Sequence, residues 1–429
     1  MPKFVVQGGH PLKGTIRPAG NKNAALPIIA ATLLTEEEVV LENVPAIRDV
    51  RTLLDLLGVL GADVAWSGTN CVHVRAQNVG ATDLDTDMAA RIRASILLAG
   101  PMLARVGRML LPPPGGDVIG RRRVDTHFLA LSRLGAAVQT GQGYHLETRG
   151  LKGADIFLDE PSVTATENAV MAAVLARGRT RLRNAASEPH VQDLCRMLNG
   201  LGAQISGVGT GILEIDGVDR LHGGSFRLSS DHIEVGSFIG LAGVTRSELL
   251  IEDAAVQHLD STLLGFERMG IHCEIRGRDL FVPGEQERVI RMDLGGHIPK
   301  VDDGPWPAFP ADLTSIALVV ATQCRGTILI YEKMFESRMF FADKLISMGA
   351  RIVLCDPHRA VVVGPSRLHA APVESPDIRA GMALLIAALG AEGESHIYNI
   401  GQIERGYERI DDRLRVLGAR IVREDSRED

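Results

Sequence analysis

Three cations in this chain stand where helix physics disfavours them. Lys22, Arg93 and Arg379 fall at the predicted starts of apolar helices: GNKNAALPIIAATLL from Gly20, AARIRASILLAGPMLA from Ala89 and PDIRAGMALLIAAL from Pro376. A helix N-terminus carries about half a positive charge on its unpaired N–H groups, so Asp and Ser are ordinary there and Lys and Arg are not. Cations gathered against such termini suit a multiply charged anion, because arginine forks bind phosphate and carboxylate in bidentate fashion. Carboxylates stand at other predicted helix starts: Asp231 with Glu234, Asp312, and Asp377 beside Arg379. The segment LPPPGGDVIGRRRVDTH, residues 111–127, adds three prolines, a Gly pair, Asp117 and the run Arg121 to Arg123. A Pro/Gly-rich loop of that length reads as a lid over a site.

Other chemistries lack their signatures. GVGTG at Gly207 is not GxGxxG, and no Walker A, HExxH or GxSxG motif occurs. No Ser-His-Asp or Cys-His set emerges. The five cysteines, Cys71, Cys195, Cys273, Cys324 and Cys355, are widely spaced with no CxxC pair. They read as small buried hydrophobes, and neither a disulfide nor a metal site is expected.

The elements that must position these residues repeat. An amphipathic stretch ends in an apolar-Gly pair and passes into an alternating, strand-like run at Gly61, Gly135, Gly202, Gly270, Gly349 and Gly418, spaced 67–79 residues apart. Glycine there fits a left-handed helix cap. Six Ala-rich apolar helices interleave with this series, opening near Gly20, Ala89, Ser162, Asp231, Pro310 and Pro376. They are too apolar for a surface position, so burial is expected. The chain is thus six copies of one α/β unit of about 70 residues, which would build one closed array or two lobes of three. The first strand, KFVVQGG, has no helix of its own and is expected to complete a sheet of the last unit. Boundaries follow near residues 20 and 230.

Length and composition agree with a large globular protein: 429 residues, 45% hydrophobic and 23% charged. A net charge of −7 and 4% aromatic residues argue against nucleic acid as a partner. No apolar run approaches the ~20 residues of a membrane span, and the N-terminus lacks a signal's apolar centre, so a cytoplasmic protein without membrane association is expected.

The segments GNKNAALP, ENVPAIRDV, IRASILLAGPMLAR, LPPPGGDVIGRRRVDTH, PSVTATENAVMAA, PAFPADLTS, MFESRMF, PDIRAG and ERGYERI carry a resemblance over nearly the whole chain. It resembles the UDP-N-acetylglucosamine 1-carboxyvinyltransferases, enolpyruvyl transferases of early peptidoglycan synthesis. The resemblance implies an inside-out α/β barrel: two lobes, each of three βαβαββ-like units around buried parallel helices. One lobe would span 21–230 and carry the 111–127 loop. The other would join 1–20 to 231–429, with substrates in the cleft between lobes. It also implies small-molecule substrates, phosphoenolpyruvate and UDP-N-acetylglucosamine, joined at the sugar 3′-hydroxyl through a tetrahedral adduct with loss of phosphate, with no cofactor or metal.

The resemblance assigns Lys22 and Asn23 to the phosphate and carboxylate of phosphoenolpyruvate, clamped also by Arg122 and Arg405. Arg93 faces the diphosphate-sugar. Arg122, Arg123, Val124, Asp125 and Thr126, with Ser162 and Val163, line the uridine and diphosphate. Met334 offers the sugar a backbone contact, and Arg338 and Arg379 make closing contacts. Asp312 is the base for the 3′-hydroxyl, and Asp117 the donor to the methylene carbon. Two aspartates split these roles only if their surroundings separate their pKa values. Most of the family has Cys at position 117. Aspartate there removes the thiolate that fosfomycin alkylates, so insensitivity to that drug is expected. Trp306 and Gln402 stand where many members have histidine, and Glu160 is an acid beside an expected diphosphate. An enolpyruvyl transferase with another acceptor, UMP or shikimate-3-phosphate, is the alternative, and a non-catalytic sugar-nucleotide binder is the reading from another class.

Overall fold

The computed structural model describes residues 2–116, 119–120 and 122–425. They fall into two compact units. The first runs from Gly20 to Ser229; the second takes the chain up to Ala19 and again from Ser230 onward, with Ile119 and Gly120. Each has its own hydrophobic core.

Both units are built around helices with no side fit for water. Every residue of His232–Thr245 is buried, as is Ile378–Gly390 from Ile378 to Leu389. A helix apolar all round must be enclosed. In the second unit these two and Thr314–Gln323 pack against one another. In the first, Lys22–Ala31, Val163–Ala173 and the segment from Arg93 to Arg105 do the same.

Three sheets cover each trio of helices, all on one plan. A central strand pairs in parallel with an edge strand on one side and antiparallel with a hairpin on the other. In the first unit Glu38–Glu42 pairs in parallel with Gly224–Arg227 and antiparallel with Cys71–Arg75, which turns back on Asp63–Trp66. Arg179–Arg183 repeats this with Asp155–Phe157, Ile212–Asp216 and Gln204–Ser206. At Arg108–Leu111 the parallel edge shrinks to a bridge between Asp83 and Leu110. In the second unit Glu248–Ile251 and Gly326–Tyr331 follow the full plan. The last sheet takes its third strand from far away: Lys3–Gln7 lies between Glu394–Tyr398 and Arg420–Glu424, antiparallel to both.

The six repeated glycines all have positive φ, from +77° at Gly270 to +103° at Gly61. After each, the next N–H reaches back five residues to a helix carbonyl: Ala62 to Leu57, Ala136 to Leu131, Ala203 to Leu198, Ile271 to Phe266, Ala350 to Leu345 and Ala419 to Leu414. This is the Schellman closure, which ends a helix and turns the chain into the following strand.

Two expectations are corrected. The apolar stretch from Ala89 is not one helix. It breaks at Ile92, which is extended (φ −133°, ψ 141°), into Thr86–Ala90, a 3₁₀ stretch Arg93–Leu98 and a short helix Ala99–Arg105. Pro101 lacks the N–H that would reach Leu97, so a continuous ladder is impossible there. The gap is closed from outside: Asn168 accepts from the Gly100 N–H (2.8 Å) and donates to the Ile96 carbonyl (2.8 Å). The cysteines, too, differ. Cys195 and Cys324 are buried, Cys71 and Cys273 half-buried, and Cys355 is exposed. Alternation explains the last, since Cys355 lies in Ile352–Asp356, where alternate residues face out.

The caps differ in the room around them. A Cβ at Gly61 would lie 2.6 Å from the Asn78 carbonyl oxygen, whereas one at Gly135 would meet nothing nearer than 3.9 Å. Both glycines have φ near +100°. Gly135→Ala is expected to cost about 1 kcal/mol for the left-handed backbone alone, and Gly61→Ala about 3 kcal/mol because the clash adds to it. Urea unfolding of the two variants checks the difference.

Candidate functional site

In the first unit the predicted residues gather at three chain entries to buried elements. Asn21 caps Lys22–Ala31, its side-chain oxygen accepting from the N–H groups of Asn23 (2.9 Å) and Ala24 (3.2 Å). Lys22 follows, almost wholly buried, and its Nζ lies 2.8 Å from Oδ2 of the equally buried Asp49 in the first turn of Arg48–Val59. The cation that opposed the helix dipole is answered by a carboxylate from the next helix. A cation this deep needs such a partner.

Arg93 opens the 3₁₀ stretch and reaches across to the 122–126 segment. Its Nη2 donates to the carbonyls of Arg122 (2.7 Å) and Arg123 (3.0 Å). Burial, and then the charge of Arg122, lower its guanidinium to about 10. Arg123 pairs with Asp125 (3.1 Å) and Asp159 (2.9 Å), and Thr126 donates to Asp159 at 2.7 Å. Glu160 lies 3.9 Å from Arg123. The acid that looked misplaced beside a diphosphate is thus held by this arginine. Val124 leads into Asp125–Arg133, and Ser162 caps the helix that begins at Val163, accepting from the Ala165 N–H.

Behind these segments lies His127, fully buried, bonded to Thr164 Oγ1 (3.0 Å) and to Asn168 Nδ2 (2.8 Å). Asn168 donates, so Nδ1 accepts and Nε2 carries the proton toward Thr164. Burial and the charge of Arg93 lower His127 to about 3, which keeps it neutral. One asparagine and one histidine therefore tie the 122–126 segment, the Ser162 cap and the broken helix together.

In the second unit the centre is Asp312, on the turn Ala311–Leu313 before Thr314–Gln323. Arg338 Nη1 donates to its Oδ1 (3.0 Å) and to the Ala311 carbonyl (2.9 Å). Arg379 holds Oδ2 through Nε (3.1 Å) and Nη2 (2.9 Å). Burial alone would raise the Asp312 carboxyl, but the charges and hydrogen bonds of Arg379 and Arg338 hold it far below the usual range. Arg379 itself is fixed: Asp377 caps its helix, and its guanidinium lies over the ring of Tyr407 at 5.4 Å, whose hydroxyl meets Ser237 Oγ at 2.9 Å. Arg405 donates to Gln402 at 3.0 Å, so this glutamine helps to orient the arginine. Trp306 stands edge-on to His232 (6.0 Å) and His258 (6.2 Å). Met334 is exposed, but its N–H donates to Asp303 (3.3 Å) and Glu332 (3.2 Å). Asp117 lies outside the described residues.

Sequence reading missed the groups that hold these residues. Asp49 stands in the noted ENVPAIRDV segment without an assigned partner. Asn168 and Tyr407 stand in noted segments, also without an assigned partner; Asp159 and Asp303 gave no signal because their partners lie 30 or more residues away, and Glu332, whose partners are close in sequence, was not singled out. Among the described residues no group of three or more His, Cys, Asp or Glu side chains could hold a metal ion, and no helix is long and apolar enough to cross a membrane.

Comparison with known proteins fits this arrangement. The family described as EPSP synthase (3-phosphoshikimate 1-carboxyvinyltransferase) matches residues 6–414. The UDP-N-acetylglucosamine 1-carboxyvinyltransferase of Bradyrhizobium diazoefficiens is 62% identical over 421 residues, 98% of each chain. That of Treponema denticola is 56% identical over 98% of this chain and 99% of its own. The chain belongs to the carboxyvinyltransferase family. It is an enolpyruvyl transferase. The fold of this carboxyvinyltransferase is shared with the enolpyruvyl transferase NikO of Streptomyces tendae (TM-score 0.87, 24% identity, 99% of each chain). It is also that of an EPSP synthase from Acinetobacter baumannii (TM-score 0.77, 16% identity, 99% of this chain and 100% of that one).

The buried histidine of the carboxyvinyltransferase makes its stability depend on pH. His127 titrates near 6.5 when unfolded and about 3 when folded, so the unfolded chain binds more protons between those values. Its contribution is complete above pH 6.5 and is lost as pH falls, by about 2 kcal/mol at pH 5. Urea unfolding at pH 7.5 and 5 is expected to show this loss, and His127→Gln to be less stable at pH 7.5 yet to lose less on acidification.

Proposed function

We propose that this transferase moves the enolpyruvyl group of phosphoenolpyruvate to the 3′-hydroxyl of UDP-N-acetylglucosamine. What carries the reading is identity of 50–62% over nearly the full chain to relatives that bear that name. The two charge clusters supply what such chemistry needs. Lys22, Asn23, Arg122 and Arg405 take the phosphate and carboxylate of phosphoenolpyruvate. Arg93, the 122–126 segment, Ser162 and Val163 take the uridine and diphosphate, and Met334 the sugar. The product is a cell-wall precursor, made in the cytoplasm.

The bonds balance in two steps. The 3′-oxygen attacks C2 of phosphoenolpyruvate as Asp312 takes its proton, while Asp117 delivers a proton to C3, giving a tetrahedral adduct. The C2–O bond to phosphate then breaks as the Asp117 carboxylate takes a proton back from the methyl carbon and the Asp312 proton leaves with the phosphate, releasing the enol ether. Asp312, ionised between two arginines, is present in the basic form at any physiological pH. Those same charges weaken it as a base, so proton transfer requires them to loosen.

Phosphate release is expected with UDP-N-acetylglucosamine and not with UMP or shikimate-3-phosphate. Asp312→Asn is expected to lower kcat at least ~100-fold, the usual contribution of a general base. Release with UMP instead would move the acceptor and keep the chemistry. Position 117 gives a second expectation. The wild-type enzyme keeps full activity through prolonged incubation with fosfomycin, whereas Asp117→Cys acquires time-dependent inactivation by it.

A further inference from the structure

Two acids of the second unit, Asp303 and Glu332, are buried behind the Met334 segment, and the proposed chemistry uses neither. Asp303 is 1% exposed and Glu332 0%. Parallel pairing of Lys300–Asp302 with Gly326–Tyr331 sets them side by side, and the Asp303 N–H donates to the Tyr331 carbonyl at 3.2 Å. Between them they take three consecutive N–H groups. Asp303 accepts from Lys333 and Met334, and Glu332 Oε1 from Met334 and Phe335, both at 3.2 Å. His358 fixes the Glu332 backbone from behind: its carbonyl accepts the Glu332 N–H at 2.8 Å, and its Nδ1 meets the Glu332 carbonyl at 2.7 Å.

The second oxygen of Glu332 is used differently. Oε2 is buried with no hydrogen-bond partner and lies 3.9 Å from Nε of Arg338, which is likewise buried and without one. The other end of the same guanidinium grips Asp312. Arg338 thus stands between two acids, bonded to one and short of the other, with its plane over the Phe335 ring at 4.7 Å.

We propose that Glu332 is a positioning residue for Asp312, acting through Arg338. The proposal rests on Asp312 being the base. A carboxylate held by two guanidinium groups is a poor proton acceptor. A shift of Arg338 by about 1 Å toward Oε2 would bring Nε to hydrogen-bond distance of Glu332 and loosen its hold on Asp312 as the alcohol proton arrives. The groups facing Glu332 suit that task. Burial above all pushes its carboxyl well up, against the pull of Arg338, with Asp303 and Thr314 beside it. A neutral carboxyl can accept from Nε without drawing Arg338 away permanently.

Glu332→Gln tests this, because the amide oxygen stays committed to the Met334 and Phe335 N–H groups and the NH₂ then faces Arg338, donor against donor. Wild type, Glu332→Gln, Asp303→Asn and Asp312→Asn are compared for kcat and KM, for kcat against pH, and for UDP-N-acetylglucosamine binding by calorimetry. For Glu332→Gln the expected result is a kcat at least tenfold lower with KM and binding within twofold. For Asp303→Asn, which loosens the segment without touching Arg338, KM for the sugar nucleotide rises while kcat stays. Wild-type kcat in Glu332→Gln, or identical behaviour of the Glu332 and Asp303 variants, overturns the proposal. Full activity in Asp312→Asn overturns the base assignment and the proposal with it. If Glu332→Gln does not fold, Glu332→Asp carries the test: a side chain one methylene shorter stays acidic but withdraws its second oxygen from Arg338. The same fall in kcat with unchanged sugar binding supports the proposal, and an unchanged kcat overturns it.

Discussion

Burial of helices that have no polar side is the constraint from which the rest of this structure follows. Once His232–Thr245, Thr314–Gln323 and Ile378–Gly390 must be enclosed, three sheets have to surround them, and the first unit solves the same problem with the same parts. Many of the charged residues predicted for the site then fall where the chain enters a buried helix, among them Lys22, Asp312 and Arg379. Those entries are where N–H groups lie unpaired and where an anion is best received. The chemistry of the protein is therefore written at its helix starts.

Most of the charges placed there are met by an opposite one, while Arg93 is held by the carbonyls of Arg122 and Arg123. Lys22 is answered by Asp49, Arg123 by Asp159, and Arg338 and Arg379 by Asp312. Buried cations are kept paired because an isolated one would be too costly to desolvate. An anion that bound at these cations would compete with carboxylates already in place and would gain most by engaging several of them at once.

How much of this was legible depended on distance along the chain. The six glycine caps, the buried helices and the odd first strand were readable because each is a local pattern of size, polarity and period. The cations at Lys22, Arg93 and Arg379 were readable because they break a local rule. The break at Ile92 was missed, and the asparagine that closes the further gap between Ile96 and Gly100 lies in another repeat. Asp159 and Tyr407 were invisible because their partners lie far along the chain, and Glu332, though its partners are near, because an acid among loops carries no mark of the arginine or amide it will meet. The role expected of Asp117 came only through likeness to a family.

The strand Lys3–Gln7 ends up between two strands from the far end of the chain. During synthesis it emerges roughly 390 residues ahead of both neighbours, which at ~5–20 residues per second means a wait of about 20–80 s. The Gly20–Ser229 unit is complete in sequence long before that and is free to fold on the ribosome. The second unit cannot close its last sheet until nearly the whole chain has been released. Its earliest-made strand, with Phe4 and Val6 destined for full burial, is meanwhile an unpaired apolar edge that has to be kept from other partners.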